Sequence, residues 1–307
     1  MKAFIAALAV GALALLGGAS AASSAQPSLQ HYMIGFGHSP NAADAALVKS
    51  HGGTVRQSFQ SIGVLAVDMP SDQVNDVKHS AGVSYVEADP VRTPLTLSSE
   101  LMTSEYPATA TNGLYGLVTT HALEAQAAGY KGTGVKACVA DTGLDTTHPD
   151  LRQNFVAGYN VFDPSKSVDV FALGVAVTEK HATHVSGIVL GAINGVGIHG
   201  VAPEAKLYEA RVLATQPDGV TVEGETSQVM AGVQWLADQG CKVINMSLGG
   251  ADRSQSEEAL YNQIRKEGTL IVVSSGNDAA NHPSFPGRYQ SVVTVGAVDK
   301  LNKLASF

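Results

Sequence analysis

Val135-Lys136-Ala137-Cys138-Val139-Ala140-Asp141-Thr142-Gly143-Leu144-Asp145-Thr146-Thr147-His148-Pro149-Asp150-Leu151 is the stretch that decides the fold. Its apolar run, Val135 to Ala140, lies between Gly134 and Gly143. A short apolar run bounded by turn residues is how a strand buried on both faces reads, as in a parallel sheet. The run ends on a carboxylate, Asp141, just before the turn at Gly143. Sites of open α/β sheets lie at the carboxyl ends of strands. Asp141 is therefore a candidate functional residue, with a plain turn cap as its alternative.

The chain around this stretch has 307 residues, room for two domains. Acidic residues exceed basic ones by 27 − 19 = 8 and no basic cluster stands out, which argues against nucleic acid as a partner. A charged fraction of 15% with 32 glycines suits a tightly turned α/β protein better than a disordered one. Cys138 and Cys241 each fall in an apolar, strand-like run. Free core thiols are the default there. A disulfide between neighbouring strands stays open, because sequence does not fix the geometry it needs.

Toward the N-terminus, Met1-Lys2, an apolar run from Ala3 to Leu16 and Ala19-Ser20-Ala21 read as a signal peptide over residues 1–21. The run is short for a membrane span. The mature protein is expected to be secreted, with periplasmic retention open, and to have no membrane partner after cleavage. Residues 30–92 alternate element types: strand Tyr32–Phe36, helix Ala42–Ser50 stopped by Gly52-Gly53, and strands Thr54–Phe59 and Gly63–Met69. A helix capped by Ser71 follows, running through His79, and then a strand, Val83–Glu87. That βαββαβ order is ferredoxin-like. Residues 93–111, rich in Ser, Thr and Pro, read as a linker.

Three further segments repeat the pattern of Asp141. They are Glu179-Lys180-His181-Ala182-Thr183-His184-Val185-Ser186-Gly187, Lys242-Val243-Ile244-Asn245-Met246-Ser247-Leu248-Gly249-Gly250 and Thr269-Leu270-Ile271-Val272-Val273-Ser274-Ser275-Gly276-Asn277. The Asp, the His and the Asn fall at strand or helix boundaries that a doubly wound sheet can bring together. With Asp141-Thr142-Gly143, His181-x-Thr183-His184-Val185-x-Gly187, Asn245-Met246-Ser247-Leu248-Gly249 and Ser275-Gly276-Asn277 in this order, residues 112–307 resemble the subtilisin-like serine proteases. Tyr32-Met33-Ile34-Gly35-Phe36, Gly52-Gly53-Thr54-Val55 and Val83-Ser84-Tyr85-Val86-Glu87-Ala88-Asp89 resemble the inhibitor-type propeptide that precedes such enzymes. The fold implied is α/β. A doubly wound parallel-sheet catalytic domain would follow a small α+β ferredoxin-like propeptide domain.

The resemblance implies a secreted endopeptidase precursor, monomeric, acting on protein or peptide substrates through an acyl-enzyme. Its own propeptide would be an intramolecular inhibitor. His181 would be the general base, oriented by Asp141, and Asn277 would donate to the oxyanion. Ser247, Leu248 and Gly249 would form one wall of the main specificity pocket, and Ser274, Ser275 and Gly276 the other. Val222, Glu223 and Gly224 would pair with an extended peptide. A structural calcium ion is implied, held by Asp150 and Asn194 and the carbonyls of Ala192, Val196 and Ile198. No catalytic cofactor is implied. A metal held by His181 and His184 is the minor reading, because the other ligands of a zinc site are missing from the pattern; His184 fits better packed behind His181.

Several features depart from the family. Its Gly-Thr-Ser nucleophile motif does not occur up to Phe307. Thr226-Ser227 falls on the helix leading to Trp235, where Ser227 reads as a surface or cap residue. The serine is thus expected beyond Phe307. The chain as written is expected to be inactive and, lacking the layer that would cover its sheet, unstable. The alternative is a non-catalytic product acting as a binding or inhibitory module through its propeptide unit. Ala182 stands where the family has glycine, and its methyl is expected to crowd the substrate backbone. Val177-Thr178 lack the acidic residue usual before the His motif.

Overall fold

The computed structural model of the chain describes residues 28–96, 115–195, 197–299 and 301–307. The signal peptide expected at 1–21 and the linker beyond Thr96 lie outside them.

The N-terminal unit runs β1 (Leu29–Phe36), α1 (Ala42–Ser50), β2 (Thr54–Phe59), β3 (Val64–Pro70), α2 (Val74–Lys78) and β4 (Val83–Ala88). The strands form one sheet in the order β2-β3-β1-β4, antiparallel throughout, as the βαββαβ pattern implies. Asn41 starts α1: its side chain accepts from the Ala43 N–H while Asp44 accepts from the Asn41 N–H. The second helix departs from expectation. Pro70 takes the extended position before the turn and offers no side-chain oxygen, so Ser71 caps nothing and begins a 3₁₀ turn ahead of α2. Side chains alternate along β3. Leu65, Val67 and Met69 pack with Ile34, Val48 and Val77 inside the unit. Val64 and Ala66 face the other way, into the core shared with the larger unit.

The larger unit continues with β5 (Val91–Pro94), α3 (Tyr115–Thr119), α4 (Ala122–Ala127), β6 (Lys136–Asp141), β7 (Phe155–Asn160), α5 (Val170–Leu173), α6 (His181–Leu190), β8 (Lys206–Arg211), β9 (Ala214–Thr215) and β10 (Val222–Glu225). Then come α7 (Thr226–Asp238), β11 (Val243–Met246), β12 (Leu248–Gly249), α8 (Gln255–Lys266), β13 (Leu270–Ser274) and β14 (Val292–Val295). Six strands make a parallel sheet in the order β14-β13-β11-β6-β8-β7. Helix α6 covers one face, packed with Ala137, Val139 and Leu207. Helices α7 and α8 cover the other, with Cys138, Ala140 and Ile244. Alternate residues of β6 thus enter two different cores, which is why its sequence is a continuous apolar run. The chain order reverses on the two sides of β6, so Asp141 ends the strand at the topological switch point. At the sheet's edge, Val293 and Val295 of β14 are 39% and 50% exposed.

Two expectations are corrected here. Cys138 and Cys241 are joined in a disulfide, with Cα atoms 6.1 Å apart, and are not free thiols. Strands β6 and β11 are neighbours, with Cys138 opposite Ile244. Cys241 lies just before β11, within the span a disulfide bridges. Nor does a linker begin at Thr93. Strand β5 crosses that boundary and sits between β10 and β12 in a separate four-stranded sheet.

Candidate active site

Strand β6 delivers Asp141 and the first residue of α6 is His181, so packing α6 on β6 brings the two together. His181 Nδ1 lies 2.8 Å from Asp141 Oδ1 and 2.9 Å from Oδ2. The Thr142 N–H donates to Asp141 Oδ1 at 2.7 Å. Burial alone would lower the imidazole's pKa, but the Asp141 carboxylate outweighs it and raises His181 above the ordinary histidine value. His184, one turn along α6, is shifted down by burial and then by the charge of His181. It lines the same cavity as His181, Thr142 and Lys180.

Val177-Thr178 carry no acid, but Glu179, which the sequence reading quoted in the His segment without assigning it a role, is a buried acidic residue of this corner. Its carboxylate is fully buried and accepts from Arg211 Nε at 2.7 Å and Nη2 at 2.6 Å, the Gly143 N–H at 3.0 Å and the Thr215 N–H at 2.9 Å. Burial raises its pKa, but the bonds from Arg211 win and the net shift is downward. Glu179 therefore ties the turn after Asp141 to the start of α6 and to the ends of β8 and β9. Ala182 does not crowd the cleft. It is fully buried, with its methyl in the core against Val139, Leu144 and Leu151, while its N–H donates to Thr142 Oγ1. Glu209 on β8, opposite Val139, is buried with neither carboxylate oxygen partnered; burial, and then the charge of Asp141, drive its pKa well up.

Beside the His181–Asp141 pair lies an extended peptide, the chain's own β5. Arg92 and Val91 pair antiparallel with Gly224 and Glu225 on one side, and Pro94 and Thr93 with Leu248 and Gly249 on the other. The Leu95 N–H donates to the Ser247 carbonyl at 3.0 Å. The Leu95 backbone lies at the His181 imidazole and adds, after Asp141, to the rise in its pKa, and Asn277 Nδ2 donates to the Thr96 carbonyl at 3.2 Å. Asp141, His181 and Asn277 thus converge on Leu95-Thr96. A Cβ added at Gly249 would stand 3.2 Å from the Leu95 side chain, so this glycine makes room for it.

The other expected pocket residues divide. Ser275 and Gly276 line a neighbouring cavity with Ser284, whose N–H donates to the Ser275 carbonyl. The Ser274 hydroxyl is buried and unpartnered and is not part of that lining. Of the expected edge, Gly224 pairs with the inserted strand, whereas Val222 and Glu223 pair with β9. Ser227 is neither a surface nor a cap residue. It is buried in the first turn of α7 and its N–H donates to Asp89 of the small unit.

The oxygen-rich set around Asp150 lies at the far side of α6. Asp150 is buried, and Asn194 Nδ2 donates to its Oδ1 at 2.9 Å. Gly197 faces it so closely that a Cβ there would stand 2.5 Å from Oδ2. Among the described residues no basic side chain pairs with Asp150. A buried carboxylate beside an asparagine amide supplies the oxygen chemistry that calcium takes. Val196 lies outside the described residues.

Residues 132–307 match the model of the Subtilase family, Peptidase_S8. The alkaline protease of Alkalihalobacillus alcalophilus is 31% identical over 301 residues, covering 94% of this chain and 72% of that protein. Subtilisin E of Bacillus subtilis (strain 168) is 30% identical over 284 residues, covering 90% of this chain and 68% of its own length. Among solved structures, fervidolysin from Fervidobacterium pennivorans, described as a keratinolytic enzyme related to subtilisin, superposes with a TM-score of 0.66 at 24% identity. That match covers 90% of this chain and 44% of fervidolysin, and it speaks for the fold alone. The chain belongs to the subtilase family of subtilisin-like serine proteases.

Proposed function

We propose that this chain is the precursor form of a secreted serine endopeptidase in which Asp141 and His181 are two members of a catalytic triad. His181 Nε2 takes the proton of a serine hydroxyl and later returns it to the leaving amine, while Asp141 holds the tautomer and stabilises the imidazolium. Asn277 donates its amide to the oxyanion. The relatives named above are longer than this chain, which spans 72% of the first. The nucleophile is assigned to that additional length. Residues 1–21 serve as a leader for export, in keeping with their composition. No described helix is long and apolar enough to cross a membrane.

One observation carries the reading: an extended peptide lies antiparallel in a cleft, between β10 and β12, with its Leu95-Thr96 link at the His181 imidazole. Strand addition of this kind is how a peptide is presented for cleavage. It also supports the N-terminal unit as an intramolecular inhibitor, since its tail fills the cleft that a substrate would use. A calcium ion held by Asp150, Asn194 and the carbonyls of Ala192, Val196 and Ile198 would fix the loop behind α6. The test uses the full-length gene product with a protein substrate, with and without a serine-directed phosphonate. Hydrolysis that the phosphonate stops and His181→Ala abolishes is expected. Hydrolysis that survives His181→Ala, or that only a chelator of catalytic metal stops, would refute the triad.

A further inference from the structure

The cleft strand also carries a cation into the protein interior. Arg92 is 0% exposed, although arginine is seldom fully buried without a partner. Its guanidinium meets Glu257 of α8, with Nη2 2.6 Å from Oε2 and Nε 3.4 Å from Oε1. Glu257 is itself fully buried. Two tyrosine hydroxyls fix the carboxylate: Tyr261 donates to Oε1 at 3.1 Å and Tyr289 lies 2.9 Å from Oε2. Space for the guanidinium is kept by Gly250, where a Cβ would stand 3.0 Å from Arg92 Nη1. This is a built pocket, in which each carboxylate oxygen meets one tyrosine hydroxyl and one guanidinium nitrogen.

We propose that Glu257 is a specificity-determining residue that selects arginine in substrates, three residues before the one at His181. The inference rests on the protease reading above. A substrate laid on β10 and β12 in the register of β5 directs its side chain at that position into the same pocket, because strand register fixes which residue faces which subsite. The planar fork of arginine matches a carboxylate in two-point contact, and a neutral side chain leaves the buried carboxylate without its cation.

The test measures the full-length, processed protein on three coumarylamide peptides, acetyl-Xaa-Thr-Pro-Leu, with Xaa arginine, citrulline or norleucine. Citrulline keeps the shape of arginine and removes its charge. A kcat/KM preference for arginine over citrulline of at least about tenfold is expected, the size of effect that losing one partner of a buried charge pair exceeds. In Glu257→Gln the ratio should fall to near unity; a cooperative melt of the variant shows that it is folded. Calorimetric binding of the free-acid peptides Val-Arg-Thr-Pro-Leu and its citrulline analogue gives a second readout that needs no turnover. Arginine-selective binding without cleavage of any peptide would remove the protease reading and keep the pocket. No arginine preference in either measurement overturns the inference, as does a preference that Glu257→Gln leaves intact; Arg92 would then be only an anchor for the N-terminal unit.

Discussion

Replacing Glu179 by alanine should be among the most damaging single changes near the site. The carboxylate is buried and receives two bonds from Arg211 and one each from the Gly143 and Thr215 amides. Its removal leaves Arg211 with Asn160 Oδ1 at 3.3 Å and the face of Phe162 as its remaining contacts. Breaking a buried pair by deleting one partner costs about 3–5 kcal/mol. The two orphaned amides add about 1–3 kcal/mol each where water cannot reach them. For a domain of this size about 1 kcal/mol moves the melting temperature by roughly 2–4 °C. A fall of roughly 6 to 20 °C at neutral pH follows from the ion pair alone. Glu179→Gln keeps the shape and one acceptor, and should lose less.

The pH dependence provides an internal check. The native pKa of Glu179 lies below its ordinary value of 4.5, so its contribution is present above that pH and is lost as pH falls through the native value. Melting curves of wild type and Glu179→Ala should therefore converge in acid. Calorimetric melts between about pH 3 and 8 measure both effects. A loss under about 1 kcal/mol at neutral pH, or a gap that does not narrow in acid, would refute the assignment of Glu179 as the carboxylate that ties this corner together.

Three other outcomes are expected. Asp141→Asn should lower kcat about 10⁴-fold by presenting His181 in the wrong tautomer, and a loss below tenfold in steady-state kinetics would sink that role. Removing the disulfide with the double variant Cys138→Ala, Cys241→Ala opens a link across 103 residues, worth about 4–5 kcal/mol in the chain-entropy account; a reductant-insensitive melt would contradict it. Glu209, whose native pKa is raised by burial, holds a proton that the unfolded chain gives up above 4.5, so stability should decline as pH rises beyond that point. Glu209→Gln should flatten this decline in melts taken from about pH 5 to 9, and parallel curves for variant and wild type would exclude it.

Local pattern made most of the fold legible. Residues 42–50 and 54–59 have the expected bounds because Asn41 and Gly52-Gly53 punctuate them in sequence. Strand β6 was legible because burial on both faces leaves an unbroken apolar run. Motif order placed Asp141 and His181 where a doubly wound sheet can bring them together, and the resemblance to the subtilisin-like proteases supplied their pairing. What escaped depended on neighbours far apart in the chain. Cys138 and Cys241 look like two small apolar residues until β6 and β11 are adjacent. Thr93-Pro94 has linker composition, yet strand formation there is imposed by β10 and β12, which supply the pairing that the segment's own propensity does not.

The buried charges were the least legible part, for a reason specific to them. An apolar residue announces its burial by its own character, whereas Arg92, Glu179 and Glu257 each read as solvated until a partner is named. Their partners lie 165 residues away for Arg92 and 32 for Glu179, beyond any helical or strand period. Arg92 even sat on the boundary drawn between two expected domains. Glu179 carried a weak clue, since an acidic residue two positions before His181 lies at the start of α6, close to the turn that holds Asp141. Nothing comparable marks Glu257: on an amphipathic helix flanked by Ser256 and Glu258 it looks like one more surface acid. The cleft strand distinguishes the two, because only with Arg92 lying over Gly250 does the carboxylate of Glu257 have a cation to meet. A pocket defined by what an incoming peptide brings is incomplete in the sequence of the pocket alone, and here the chain's own strand supplies the missing half.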